Sequence, residues 1–226
     1  MIKGVSEEDL MNKAMMTDPK KLMAIKFLAE IQGIAYFVNP AVNKIAIMKM
    51  VQMTISYGLS PAAPFGMACF GSFLAKNGNL TAGHRFVLLA KSLLGKLSPK
   101  ELTGKVMCVE AELCCYMEPL LAVNERRVQA EIAAISGGDT YWASTCRIQY
   151  LTNSLWGGTH LTSLKRKILD GEAFVKQCEN VALLPLCCVM QRSVDMLLGI
   201  ETKLHTTDQL PDSIEHQTNS RHKATL

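Results

Sequence analysis

Aromatic residues are scarce in this 226-residue chain. Phenylalanine, tryptophan and tyrosine together make up 6% of it, whereas 49% of its residues are hydrophobic. The apolar content therefore comes mostly from aliphatic side chains, alanine and methionine, which favour helices over β-sheets. A chain of this length can bury a substantial core as one domain or one short repeat array. The composition predicts an all-α protein.

Long uninterrupted apolar runs are also absent. The two most apolar stretches, ALLPLCCVM at 182–190 and the uncharged segment 61–75, are too short to span a bilayer. The residues before Met15 carry charges of both signs, so they do not form a signal peptide. We expect a soluble, cytoplasmic protein that has no membrane partner.

Charge of one sign is not concentrated anywhere in the sequence. The net charge is +4, from 24 basic and 20 acidic residues, and the basic run KRK at 165–167 is short. A nucleic-acid-binding surface normally needs a clustered basic stripe. We therefore expect no nucleic-acid partner and interpret the short basic runs as solvated helix faces.

The motifs of common catalytic and metal sites are missing. The segments GKL at 95–97 and GKV at 104–106 lack the remaining residues of a phosphate-binding loop, and no H-E-x-x-H occurs. The five histidines are scattered, and the eight cysteines include no C-x-x-C. Cysteines on apolar stretches are usually buried, reduced thiols. The sequence predicts no catalytic residue, no cofactor and no metal site, so we expect a protein that is not an enzyme.

Helix-start signals recur along the chain at regular intervals. A short polar residue can accept hydrogen bonds from the first free N–H groups of a helix, and proline is tolerated directly after it. Four such residues precede a proline, a fifth site is weaker, and four more lack the proline: Asp18, Asn39, Ser60, Ser98; Glu118; Asn79, Asp139, Thr159, Asn180. Ser98 is followed by Glu101, which predicts a capping box.

The spacing of these signals is 19 to 21 residues. Each unit then holds one helix and a short connection, and two units give the period of paired-helix repeats. We predict an α-solenoid of antiparallel, tetratricopeptide-like helix pairs with about nine helices. The array is expected at 18–200, with a lead segment at 1–17 and a polar, disordered tail at 201–226.

Apolar stripes support this assignment. Phe86, Leu89, Ala90, Leu93 and Leu94 recur at the spacing of one helix face. A second stripe comprises Leu121, Val128, Ile132 and Ile135, opposite Glu125, Arg126 and Arg127. We expect both stripes to be buried.

Two helices, at 61–77 and 140–156, are nearly free of charge and are expected to lie between neighbours. Small residues such as Gly66 and Gly71 would let other helices approach the first of them closely.

The order of these signals resembles the tetratricopeptide-like helical region of large signalling proteins that combine an ATPase module with a serine/threonine-kinase or sensor histidine-kinase module. The resemblance covers roughly residues 10–200. It rests on many positions: Met16, Thr17, Asp18 and Pro19; Asn39 and Pro40; Lys49, Met50 and Val51; Tyr57, Gly58 and Ser60; Gly78 and Gly83; Gly138, Asp139 and Ala143; Gln191, Arg192, Leu197, Leu198 and Gly199. Where that family often has a tryptophan, this chain has Tyr116 and Met117. The ATPase and kinase modules are absent from this sequence.

The resemblance implies a regulatory or interaction module without catalysis of its own. Two residues of the helix at 140–156 are candidates for a binding groove. Trp142 follows Asp139, which we interpret as an N-cap rather than a general base. Arg147 is the only charge between Thr140 and His160. It either lines a groove and meets an acidic group or extends into solvent, and the second interpretation is favoured.

The ends of the array are the places where an apolar face can stay uncovered. At the front, the apolar residues Leu10, Met11 and Met15 form the candidate cap. At the back, we expect Leu186 and Val189 to lie in an exposed apolar patch that binds a protein partner or a second copy of the chain. The alternative function is that of a small-ligand sensor, with an apolar pocket lined by the helices at 61–77 and 140–156.

Overall fold

A computed structural model describes residues 6–200, and the predicted tail at 201–226 lies outside this range. The described part is helical, with ten α-helices, a single 3₁₀ turn at Val181–Leu183 and one isolated bridge between Met15 and Leu59. The helices are α1 (Glu7–Met11), α2 (Pro19–Val38), α3 (Pro40–Tyr57), α4 (Ala63–Lys76), α5 (Leu80–Leu97), α6 (Lys100–Cys114), α7 (Leu120–Ser136), α8 (Thr140–Trp156), α9 (Leu161–Gln177) and α10 (Leu184–Leu197).

Helices that are adjacent in sequence pack against each other, as the short connections require. The strongest contacts join α2 to α3, α4 to α5, and α7 to both α6 and α8. In addition, α4 contacts α6, α6 contacts α8 and α8 contacts α10, so these four helices form one row along the array. This arrangement is a solenoid of antiparallel helices. The predicted fold class is confirmed, and nine of the helices fall within 18–200.

Four of the predicted N-caps are present. The carboxylate of Asp18 accepts a hydrogen bond from the backbone N–H of Lys20 at 2.9 Å, and Asn39, Asn79 and Asp139 cap α3, α5 and α8 in the same way. Each cap satisfies a donor that the first helical turn leaves free. Glycines at positive φ, such as Gly78 and Gly138, close the preceding helices as predicted.

The predicted capping box of Ser98 and Glu101 is wrong. Ser98 has φ 45° and ends α5, while its hydroxyl donates to the carbonyl of Gly95. A residue that ends one helix in the left-handed conformation does not have the extended backbone of an N-cap. Pro99 therefore precedes α6.

The helices predicted to start at Ser60, Glu118 and Thr159 are present within a few residues of these positions, since α4, α7 and α9 begin at Ala63, Leu120 and Leu161. None of these three helices has a side-chain cap.

The stripe on α5 is buried as predicted, with Leu89, Ala90 and Leu93 in the largest core cluster. This cluster is centred on α4, where Phe65, Met67 and Ala68 have no exposed surface. Gly71 allows the close contact of α4 with α5, because a Cβ atom there would lie 2.6 Å from the carbonyl oxygen of Gly83.

The stripe on α7 is not buried, which corrects the second prediction. Leu121, Val128, Ile132 and Ile135 are all exposed, whereas Arg127 is 2% exposed. Small residues decide this orientation. A Cβ atom on Gly104 of α6 would lie 2.5 Å from the Cα atom of Ala134, so α6 and α7 pack closely along the face of α7 that carries alanines.

The lead segment does not cap the front of the array. Leu10 is buried and α1 contacts α5, where Glu7 forms an ion pair with Arg85. The outer face of α2 therefore stays uncovered by α1, and Met23, Phe27, Ile34 and Val38 are each about two-thirds exposed, from 64% to 66%.

Candidate functional site

Helix α2 lies against α6 and α8, and polar contacts hold it there. The ammonium of Lys105 on α6 lies 2.9 Å from one carboxylate oxygen of Glu30. Gly33 lies three residues after Glu30 on α2, and its carbonyl accepts a hydrogen bond from the hydroxyl of Tyr141 on α8 at 3.1 Å. Burial, with Asp139 nearby, raises the pKa of Tyr141 to about 12, so this hydroxyl keeps its proton at neutral pH.

The third contact lies one turn further along α2, where Tyr36 donates to Glu112 of α6 at 3.0 Å. Residues spaced by three lie on one face of a helix, so a single face of α2 makes all these contacts. Cavities remain on both sides of this face because polar side chains, rather than close apolar packing, join it to the row.

The first cavity, which we term the Trp142 cavity, has a volume of about 110 Å³, is lined by α2, α3, α4, α6 and α8, and is open to solvent on one side. Its aromatic wall comprises Phe73, Tyr141 and Trp142. The Trp142 ring packs edge-on against Phe65, with 5.6 Å between ring centroids. Asp139 accepts a hydrogen bond from the Trp142 backbone N–H at 3.0 Å, which fixes the start of α8 and with it the position of the ring.

A charged network forms one side of the Trp142 cavity. The carboxylate of Glu112 accepts hydrogen bonds from Lys76 at 2.8 Å, from Tyr36 at 3.0 Å and from Ser72 at 3.0 Å. Burial acts to raise the pKa of the Glu112 carboxyl, but Lys76 and the hydrogen bonds outweigh it and lower that pKa. Burial likewise acts to lower the pKa of the Lys76 ammonium, and Glu112 and Tyr36 raise it above its ordinary value.

The amide of Gln32 lines the same cavity from α2. Gln32 is 4% exposed, and its Nε2 atom donates to the side-chain oxygen of Asn43 at 3.1 Å. Its Oε1 atom is buried and has no hydrogen-bond partner. A buried acceptor without a donor is costly and uncommon, so this atom is a candidate hydrogen-bond acceptor for a ligand in the cavity.

The second cavity, which we term the Lys105 cavity, lies on the other side of α2 and has a volume of about 620 Å³. It is bounded by the first half of α2, the loop before α4, and the N-terminal ends of α6 and α8. Lys105 is 5% exposed and pairs with Glu30 and, at 3.3 Å, with Asp139. The hydroxyl of Ser60 is buried here without a partner.

Buried polar groups also join α6, α7 and α8 behind the Trp142 cavity. The guanidinium of Arg127 donates to the carbonyl of Cys108 at 2.8 Å and to the side-chain oxygen of Gln149. A hydrogen bond from Cys146 lowers the pKa of the Cys108 thiol; burial opposes this shift, and the charge of Arg127 supports it. The eight cysteines are free thiols, and Cys188 is exposed, contrary to the expectation that these thiols are buried.

The four residues singled out from the sequence lie in three different places. Trp142 lines a cavity, while Leu186 and Val189 are 46% and 61% exposed on α10. The favoured interpretation, that Arg147 extends into solvent, is wrong. Its Nε atom donates to Glu131 of α7 at 2.7 Å, and its guanidinium lies 4.6 Å from the centre of the Phe174 ring on α9. Arg147 therefore joins three helices and lines neither cavity.

The residues that define both cavities carry no sequence motif. Gln32 and Lys76 lie on α2 and α4, Lys105 and Glu112 lie on α6, and no spacing in the sequence relates the three helices. The one available signal is the pair of nearly charge-free helices at 61–77 and 140–156, which do line the Trp142 cavity. The wall of this cavity is mostly apolar, as predicted, and it also contains amide and charged side chains; the role of the cavity as a ligand site stays a prediction.

Within residues 6–200, no three side chains among histidine, cysteine, aspartate and glutamate lie close enough to hold a metal ion. None of the helices that the structure describes has the length and hydrophobicity required to cross a membrane. No protein-family model, curated protein or solved structure matches this chain.

Proposed function

We propose that this protein is a non-catalytic helical-repeat module that regulates or binds another protein, or a second copy of itself, through the outer face of α10. One observation carries the proposal. Leu186, Val189, Met196 and Leu197 are between 46% and 70% exposed, and they recur at the spacing of one helix face. The opposite face of α10, with Cys187, Met190 and Val194, is buried in the core cluster that α10 forms with α8 and α9.

Contiguous exposed apolar residues of this kind are typical of interaction sites. In a solenoid, each helix covers the apolar face of its predecessor, and no helix within residues 6–200 covers the outer face of α10. The resemblance to the helical region of ATPase and kinase signalling proteins supports the same interpretation, because that region is regulatory.

The pairing of the carboxylates supports the non-catalytic part of the proposal. Glu112, Glu131 and Asp139 are largely buried, and each faces a cation, namely Lys76, Arg147 or Lys105. Paired carboxylates of this kind hold helices together. We expect the isolated chain neither to bind nor to hydrolyse ATP, and saturable micromolar binding in a calorimetric titration would contradict this.

The oligomeric state tests the proposed surface. We compare the wild type with the double variant Leu186→Glu and Val189→Glu by light scattering over a range of concentrations. The matched control is Leu88→Glu with Ile45→Glu, because these residues are 49% and 59% exposed on α5 and α3. The wild type and the control should associate, whereas the α10 variant should be a monomer with an unchanged melting temperature.

A wild type that is monomeric at all concentrations would exclude self-association. A photo-crosslinking residue placed at position 189 should then capture a partner protein that the same residue at position 45 does not capture. Equal capture at both positions, or none, would overturn the proposed surface.

The second candidate function is the recognition of a small ligand. The Trp142 cavity favours this function. The cavity is lined by the two helices at 61–77 and 140–156, and it contains the unpaired buried acceptor of Gln32. Sites for small molecules commonly combine aromatic walls with a few polar groups in fixed positions. The two functions are compatible, since the cavity and α10 do not share residues.

A further inference from the structure

The charges in the Trp142 cavity are already neutralised by each other. Glu112 accepts three hydrogen bonds, from Lys76, Tyr36 and Ser72. A charged ligand would have to break this ion pair and leave one member without its partner, which is unfavourable in a partly buried site. The cavity is therefore suited to a neutral ligand.

The polar group that the cavity lacks is a hydrogen-bond donor. Gln32 uses its own donor on Asn43, and its Oε1 atom has no partner. A ligand N–H or O–H group at this position would supply the bond that the protein itself does not make. A ligand without a donor would leave the acceptor buried and unsatisfied, so the site should discriminate between the two.

The walls and the volume set the size and shape of the ligand. Phe73, Tyr141 and Trp142 provide flat apolar faces, with Ile47 and Val109 beside them. The volume of about 110 Å³ compares with about 150 Å³ for an apolar cavity that holds benzene. Because the cavity is smaller than that and is open on one side, a single small ring fills it and extends partly into the opening.

We propose that the Trp142 cavity binds a small, neutral ring compound that carries one N–H or O–H donor, with that donor bonded to Oε1 of Gln32. The proposal rests on the second candidate function and names its ligand class. A water molecule could also donate to Gln32, but it would leave the aromatic walls hydrated. A ring removes this apolar surface from water while its donor replaces the water's hydrogen bond.

Phenol and toluene form the test pair, because they have nearly the same size and only phenol has a donor. Trp142 is one of two tryptophans in the chain. The other, Trp156, is 76% exposed, and Trp156→Phe assigns the two indole N–H resonances. Titrations followed by the Trp142 resonance in heteronuclear NMR report binding at this cavity. Phenol should bind saturably, and about tenfold more tightly than toluene.

Gln32→Met tests the role of the acceptor, because methionine keeps the shape of glutamine and removes its amide. In this variant the preference should disappear or reverse, since phenol would then have to bury its hydroxyl without a partner. Gln52→Met makes the same chemical change at an exposed site on α3 and should leave the preference intact.

The outcomes separate the ligand class from the site. Toluene binding as tightly as phenol, or a preference that survives Gln32→Met, would overturn the ligand class and leave the cavity as a ligand site. No response of the Trp142 resonance to either compound at millimolar concentration would overturn the site itself. The proposed interaction through α10 would be unaffected by either result.

Discussion

Helices α5 and α7 both carry an apolar stripe, yet only α5 buries it. Leu89 and Leu93 of α5 are at most 4% exposed, whereas Ile132 and Ile135 of α7 are half-exposed. In place of its stripe, α7 buries Arg127, together with asparagine and glutamate on the same face. The two helices are similar in sequence pattern and opposite in orientation.

The difference shows what a helical stripe does not specify. A stripe identifies two faces, but the neighbouring helices determine which of them is buried. Against α7, the α6 and α8 helices offer hydrogen-bond partners: the carbonyl of Cys108 for Arg127, Ser154 for Asn124 at 3.0 Å, and Arg147 for Glu131. Polar groups that keep most of their hydrogen bonds can be buried without a large penalty, and of these residues only Oδ1 of Asn124 and Nε of Arg127 are buried without a partner. Close packing of Ala134 against Gly104 then supplies the dispersion contacts.

The largest expected effect is in the apolar face of α5. Leu89→Ala should lower the free energy of unfolding by about 2–5 kcal/mol, because it leaves a void in the main core. The adjacent Leu88 is 49% exposed on the opposite face. Its replacement by alanine should cost within about 0.5 kcal/mol. Urea unfolding measures both values, and equal costs would mean that the faces of α5 are wrongly assigned.

On α7, the inner polar face should be the sensitive one. Arg127→Met should cost about 1–3 kcal/mol, because it leaves the Cys108 carbonyl and the Gln149 side-chain oxygen without their donor. Arg126→Met is the matched control. Arg126 is 43% exposed at its side chain and pairs with Glu118 on the surface, so its loss should cost about 0.2–1 kcal/mol. A larger cost for Arg126→Met than for Arg127→Met would mean that α7 buries the face that carries Arg126.

Lowering the pH should weaken the polar contact that Glu112 makes between α4 and α6, whereas the apolar packing of Leu89 should not change. The folded protein lowers the pKa of Glu112 from its ordinary value of 4.5. A lowered carboxyl pKa stabilises the fold above that value, and this stabilisation is lost as the pH falls through the folded-state pKa. Glu112→Gln should therefore cost about 1–2 kcal/mol at neutral pH. The cost should shrink progressively below pH 4.5.

The apolar control for this measurement is Leu89→Ala, whose cost should be the same at each pH because no titratable group is removed. Urea unfolding of the wild type and both variants at several pH values gives the comparison. A cost of Glu112→Gln that is independent of pH would show that the carboxylate does not stabilise the fold through its charge.

Local chemistry in the sequence was sufficient to predict how many helices lie within 18–200 and which residues cap four of them. An asparagine or aspartate with its side chain free to accept, as at Asn39 or Asp139, acts within its own first turn. Ser98 was misassigned because the same short connection must also end α5, and the sequence does not show which of the two requirements prevails.

The candidate site could not be predicted because its residues meet only through the tertiary path of α2. Gln32, Glu112 and Trp142 belong to three helices, and they lie close together because α2 lies against α6 and α8. Only the absence of charge from the helices at 61–77 and 140–156 pointed to a pocket between them. It gave no information on Lys76 and Glu112, whose charges cancel across the α4–α6 contact.

The smallest effect is expected on the exposed stripe of α7, and it tests the comparison most directly. Ile132 is 50% exposed, and its helix is held by the opposite face. Ile132→Ala should change the free energy of unfolding within about 0.5 kcal/mol. Ile132→Lys should be tolerated equally, because a lysine at an exposed position keeps its ammonium in water. A loss of several kcal/mol for either variant would place the stripe in a core, as its pattern alone suggests. Unchanged urea midpoints, beside a large shift for Leu89→Ala, would establish that two similar stripes have opposite environments.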